Sequence, residues 1–143
     1  MTRLRSSIVA YAAVLVAFAL IDSIWIALVA APMFRAAVGT IMLDEPFLAA
    51  AVPFYLIYAA GIVALAVRPA LDAGSPGRAA WNGTILGLTA YGTFEFTSLA
   101  IFKGWTWGLV AVDIAWGAAL SALVSMFGYH VTRGDLGRAA APG

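Results

Sequence analysis

Tyr91-Gly92-Thr93-Phe94-Glu95-Phe96-Thr97-Ser98 lies inside an otherwise apolar run that extends from Trp81 to Phe102. A run of that length crosses the roughly 30 Å hydrocarbon layer of a bilayer as a single helix. An acid near its centre costs a few kcal/mol even on lenient insertion scales, so such a residue faces a bundle interior or a wet cavity rather than lipid. Glu95 therefore predicts partner helices. Two of them carry acids of their own. Asp22 interrupts an apolar run from Ile8 to Ala31, and Asp113 interrupts another that ends at Tyr129. Each of these aspartates is followed three residues later by a tryptophan, Trp25 and Trp116.

The rest of the composition agrees with a membrane setting. Of 143 residues, 64% are hydrophobic and 10% are charged, and the mean hydropathy is +0.97. Soluble domains hold about 45–50% apolar and about 25% charged residues. The expected fold is all-α: a polytopic membrane protein forming a four-transmembrane-helix bundle, with residues 1–143 as a single membrane domain. The absence of cysteine removes disulfides, thiolate metal sites and cysteine nucleophiles. A formal charge of +1 supplies no long-range field for a nucleic-acid partner. One histidine excludes His-Glu-x-x-His zinc chemistry and every two-histidine site.

The apolar runs place helices over about 8–31, 47–67, 81–102 and 106–129. The first is too long for a signal-peptide core and contains Asp22 and Trp25, so it reads as a retained span. Pro32 to Pro46 reads as an interfacial connector, with Asp44-Glu45-Pro46 resembling a helix start. Arg68 to Ala80 reads as a Pro/Gly-rich loop, and Lys103 to Trp107 as a tight turn. Trp81, Trp105 and Trp107 read as interfacial belt residues. Residues 131–143 read as a disordered tail. With the N-terminus inside, the cytoplasmic side carries Arg3, Arg5, Arg68, Arg78, Arg133 and Arg138, against only Arg35 and Lys103 outside. That asymmetry predicts both termini in the cytoplasm of a cell whose inner (plasma) membrane holds the bundle.

Helix geometry brings the acids together. At about 1.5 Å per residue, Asp22, Glu95 and Asp113 lie roughly 10–13 Å in from the outer helix ends, and Tyr55 falls at a similar level. Trp25 and Trp116 are expected to bracket this acidic layer. Gly83, Gly87, Tyr91 and Glu95 recur at steps of four, a stripe that permits close helix approach. The expected ligand- or proton-binding set is Asp22, Glu95, Asp113, Tyr55, Tyr91, Trp25 and Trp116. Three carboxyls without an intramembrane base hold protons or a cation. A metal, if one binds, would take Asp22, Glu95 and Asp113 as hard oxygen ligands.

At these residues the chain resembles a bacterial membrane-protein family catalogued as domain of unknown function 2177. The matching segments are Ile21-Asp22-Ser23-Ile24-Trp25, Tyr91 to Ser98, Lys103-Gly104-Trp105, and Val112-Asp113-Ile114-Ala115-Trp116-Gly117. Family members more often carry Tyr-Asp-x-Thr-Asn where this chain has Phe94-Glu95-Phe96-Thr97-Ser98. The resemblance implies a four-helix inner-membrane protein and no particular reaction or cofactor. The residues themselves leave three functions open. A lipophilic or metal cation could bind the carboxylate pocket or be transported against protons, with a homodimer completing the pathway. A lipid- or quinone-modifying enzyme could use the acids as a proton donor and base. The protein could also be a structural or accessory subunit.

Overall fold

A computed structural model describes residues 3–140 as four long helices in antiparallel sequence. α1 spans Arg3–Ile41 and α2 spans Leu48–Ala73. α3 spans Pro76–Ile101 and α4 spans Trp107–Ala140. Among the described residues there is no strand. α1, α2 and α4 are each long and apolar enough to cross a membrane. α3 has the length, at 26 residues, but its threonines, glycines, Glu95 and Ser98 leave it outside that group. Gly83, Gly87, Gly92, Glu95 and Ser98 are buried, while Thr89, Thr93 and Thr97 are exposed and donate their hydroxyls to carbonyls of their own helix.

The helices outrun the apolar stretches that announce them, because hydropathy marks the lipid-facing part and not the helix ends. α1 continues past Ala31 as a second α segment to Val38 and a 3-10 turn to Ile41, where a connector was expected from Pro32. A π-turn at Ile26–Ala30 makes this possible, closed by the Ala31 amide donating to the Ile26 carbonyl. The wider turn gives room at Pro32, which has no amide hydrogen and crowds the carbonyl four residues back. α2 repeats the device: a π-turn at Val63–Val67, with the Arg68 amide donating to the Val63 carbonyl, precedes Pro69. The expected loop over residues 68–80 therefore shrinks to a turn. Gly74 adopts the left-handed conformation (φ 62°), and Ser75 caps α3 by accepting from the Arg78 amide. At the other end of α2 the helix begins at Leu48 behind Phe47, not at the Asp44-Glu45-Pro46 segment. The tail also differs. α4 stays helical through residues 131–140, and residues 141–143 of the expected disordered segment lie outside those described.

The start of α1 and the last turns of α4 lie at one end of the bundle, where Arg5 pairs with Asp135 at 3.5 Å and Arg3 with Asp72 at 3.3 Å. Among the described residues packing forms three apolar clusters: a small one of Ala70, Ala79 and Tyr129, and two that flank the acids. The larger of these two, nearer the termini, gathers Val14 and Phe18 of α1, Ile62 and Val67 of α2, and Leu120 and Val124 of α4. The other gathers Trp105, Leu109 and Val110 with Phe34 of α1. Between these two lies the polar layer.

α3 and α4 approach most closely, and small residues make that possible. A Cβ on Gly83 would stand 2.5 Å from the Ser121 carbonyl oxygen, and one on Gly87 would overlap the Gly117 backbone. The Gly83/Gly87 stripe is thus a helix–helix contact.

Candidate functional site

Asp22 is 3% exposed and receives a hydrogen bond from every other helix. Tyr55 of α2 donates its hydroxyl to Oδ2 at 3.0 Å, and Tyr91 of α3 donates to Oδ1 at 3.1 Å. The Trp116 indole of α4 donates to the same Oδ1 at 3.2 Å. Three donors on two oxygens match the acceptor-only chemistry of a carboxylate. Tyr91 reaches Asp22 because its ring lies against Gly117, where any Cβ would overlap it.

The second aspartate mirrors the first. Trp25, three residues after Asp22, donates its indole N–H to Asp113 Oδ1 at 3.3 Å. Trp116, three residues after Asp113, serves Asp22. The two indoles stack at 4.2 Å with an interplanar angle of 5°. Two Asp-x-x-Trp units on the antiparallel α1 and α4 thus exchange hydrogen bonds across a local two-fold. The tryptophans stand between the aspartates and do not bracket them.

Glu95 is fully buried. Its Oε2 accepts from the Trp105 indole at 2.8 Å, while Oε1 has no N–H or O–H donor. The carboxyl lies within side-chain hydrogen-bond contact of Asp113. The polar layer is therefore a chain of contacts: Tyr55 and Tyr91 to Asp22, the stacked indoles, Asp113, Glu95, and finally Trp105. Tyr58, one turn further along α2, meets the Tyr91 ring edge-on at 6.4 Å, and its hydroxyl pairs with Ser121 at 2.9 Å.

Trp105 is a residue the belt reading missed. Trp81 and Trp107 are 66% and 71% exposed, as belt residues should be, but Trp105 is 8% exposed. The turn explains its inward course. Gly104 takes φ 93°, and its Cα packs against the Ala37 carbonyl of the α1 extension, where no Cβ fits. Phe34 stacks on Trp105 at 5.1 Å and Phe94 meets it edge-on at 5.8 Å. The ten-residue step from Glu95 to the Lys103-Gly104-Trp105 segment was the available signal.

A cavity of about 330 Å³ opens beside the layer, lined by Asp22, Trp25, Tyr91 and Asp113 at its polar end. Ile26, Ala30, Phe34, Phe54, Ala90 and Phe94 form its apolar wall. The α1 π-turn supplies Ile26 and Ala30, so the same irregularity that admits Pro32 shapes the wall. Phe54 and Phe94, 44% and 48% exposed, stand at the mouth. The half of α2 that begins at Leu48 is exposed nearly all round, with Val52 at 53% and Ile57 at 73%. Tyr55 is half-buried and does not line the cavity; Glu95 lies behind Asp113. Among the described residues no group of three or more acidic, histidine or cysteine side chains is placed to hold a metal ion.

Comparison with curated proteins and with solved structures returns no match. A family model described as a predicted membrane protein, DUF2177, matches residues 7–130, from the first turn of α1 to near the end of the apolar part of α4. The match covers α2 and α3 whole and most of α1 and α4, with the paired Asp-x-x-Trp units and the buried Glu95, and the chain belongs to this family of membrane proteins.

Proposed function

We propose that this protein binds a lipophilic cation in the cavity between α1 and α3, with Asp113 as its counter-charge. The observation that carries the reading is the composition of that wall. Aromatic rings from three helices surround a space that ends on two buried carboxyls, and no lysine or arginine is among the groups lining it. A cation gains from ring faces and from a carboxylate in a medium of low dielectric. The volume is at the lower end of the range for small-molecule sites, and the mouth between Phe54 and Phe94 faces the bilayer core, where a lipophilic ion concentrates. One copy of the chain builds the cavity, so binding does not require a second.

The bundle sits in the bacterial inner membrane with all four helices crossing, and the termini face the cytoplasm. The arginine asymmetry supports this orientation, as does the gathering of Arg3, Arg5 and Arg68 with Asp72 and Asp135 at the terminal end. α3 crosses with Glu95 and Ser98 buried and with the hydroxyls of its exposed threonines bonded to its own backbone.

Tetraphenylphosphonium is a suitable probe. Equilibrium binding of the radiolabelled ion to purified protein in detergent should saturate at one site per chain. Asp113→Asn should weaken it at least about tenfold, the effect of losing roughly 1.4 kcal/mol of charge attraction. Equal binding by wild type and Asp113→Asn would remove the reading. Asp22 supports a different role, that of a tie between helices, since its oxygens are already occupied by Tyr55, Tyr91 and Trp116.

A further inference from the structure

The Asp113 carboxyl faces the cavity on one side and Glu95 on the other, and the Glu95 side has an unmet need. Glu95 is 0% exposed, and its Oε1 meets no N–H or O–H group. Leaving a buried acceptor unpaired costs about 1–3 kcal/mol, more for a charged one. The polar group within reach is another carboxyl, that of Asp113. Two ionised carboxylates are acceptors only and cannot bond to each other; one proton between them turns the contact into an O–H to O hydrogen bond. The surroundings supply no alternative donor or counter-charge. From the turn before α4, Trp105 is committed to Glu95 Oε2. From α1, Trp25 is committed to Asp113 Oδ1, and Asp22 adds a further acid. From α3, Tyr91 faces Asp113 but gives its hydroxyl to Asp22. Lys103 is exposed on the turn. α2 brings no titratable group to either carboxyl.

We infer that Glu95 and Asp113 share a single proton, and that a cation entering the cavity displaces it. This rests on the binding reading above and gives that site its coupling. The step is balanced: the O–H bond of the pair breaks, the proton leaves to water, and the arriving monovalent cation replaces its charge beside Asp113. The total charge of the layer is unchanged, so a low-dielectric site is never left with an extra bare carboxylate. Asp22 takes no part, because its three donors hold it as an acceptor.

Two measurements on full-length protein in detergent test the inference separately. Infrared spectroscopy of the ligand-free protein at neutral pH should show the carbonyl stretch of one protonated carboxylic acid. That band should vanish in both Glu95→Gln and Asp113→Asn and persist in Asp22→Asn. No band, or a band indifferent to Glu95→Gln and Asp113→Asn, overturns the shared proton. Adding tetraphenylphosphonium in weak buffer with a pH dye should then release about one proton per bound cation from wild type. Glu95→Gln should bind the cation and release none, since Asp113 is then already free to act as counter-charge. Binding by wild type without release overturns the coupling and leaves the binding reading standing. Failure to bind removes that reading and the coupling with it, while the infrared band still decides the proton. An unfolding scan on each variant shows that a lost band or lost binding is not loss of fold.

Discussion

Trp105 and Trp107 are separated by one residue, yet one indole lies in the protein and the other outside it. Trp105 donates to a fully buried carboxylate oxygen at 2.8 Å, and Trp107 is 71% exposed. Replacing the indole of Trp105 by a ring without N–H strands Glu95 Oε2. Trp105→Phe should therefore lower stability by about 1–3 kcal/mol in a detergent unfolding experiment. Trp107→Phe should stay within about 0.5 kcal/mol of wild type, as a substitution on the exposed surface. Equal effects would mean that the Trp105 hydrogen bond contributes nothing. At this scale the acids were legible in the sequence because charge in an apolar run has few explanations. The tryptophan was not, because its direction follows from Gly104 and from the carbonyl of Ala37, which is remote in sequence and lies in another helix's extension. The Asp-x-x-Trp units were visible as a spacing. Their exchange of hydrogen bonds needs the antiparallel register of α1 and α4, which spacing alone does not carry.

Between elements, glycine position decides how near the helices come and thereby where Tyr91 points. Gly117 lets the Tyr91 ring lie on the α4 backbone, while a Cβ on Gly61 would meet nothing within 4 Å. The two alanine substitutions should thus act in opposite directions. Gly117→Ala should cost about 1–3 kcal/mol through overpacking, and it should weaken the Tyr91 bond to Asp22. Gly61→Ala should be neutral or stabilise by about 0.5–1 kcal/mol, the helix-interior preference for alanine. Thermal unfolding of the pair checks both; equal losses would contradict the packing described. The stripe of Gly83, Gly87 and Tyr91 was readable at steps of four. The helix ends were less so. Pro32 and Pro69 look like stops in the sequence, but each follows a π-turn that admits the ring, so α1 runs on to supply Phe34 to the cavity and to Trp105. Backbone hydrogen-bond shifts of this kind leave no trace in hydropathy.

For the whole molecule, the apolar runs announce four helices, of which α1, α2 and α4 are long and apolar enough to cross a membrane by length and composition. The absence of cysteine makes the crossing testable with single introduced cysteines and a membrane-impermeant maleimide. Asp44→Cys and Lys103→Cys should label in intact cells, and Ser75→Cys and Gly134→Cys only after lysis. Labelling of Ser75→Cys and Lys103→Cys from the same side would mean that α3 does not cross. The larger claim is a division of labour among three acids that sequence alone treated alike. It is tested most directly by unfolding wild type, Asp22→Asn, Glu95→Gln and Asp113→Asn side by side in detergent at neutral pH. Asn at 22 offers one acceptor oxygen to three donors and a new N–H₂ group without an acceptor, so it should lose about 1–3 kcal/mol. Gln at 95 can accept from Trp105 and donate to Asp113, and Asn at 113 can accept from Trp25 and donate to Glu95. Those two variants should match or exceed wild-type stability. A parallel loss in all three, or an unaffected Asp22→Asn, would contradict the account.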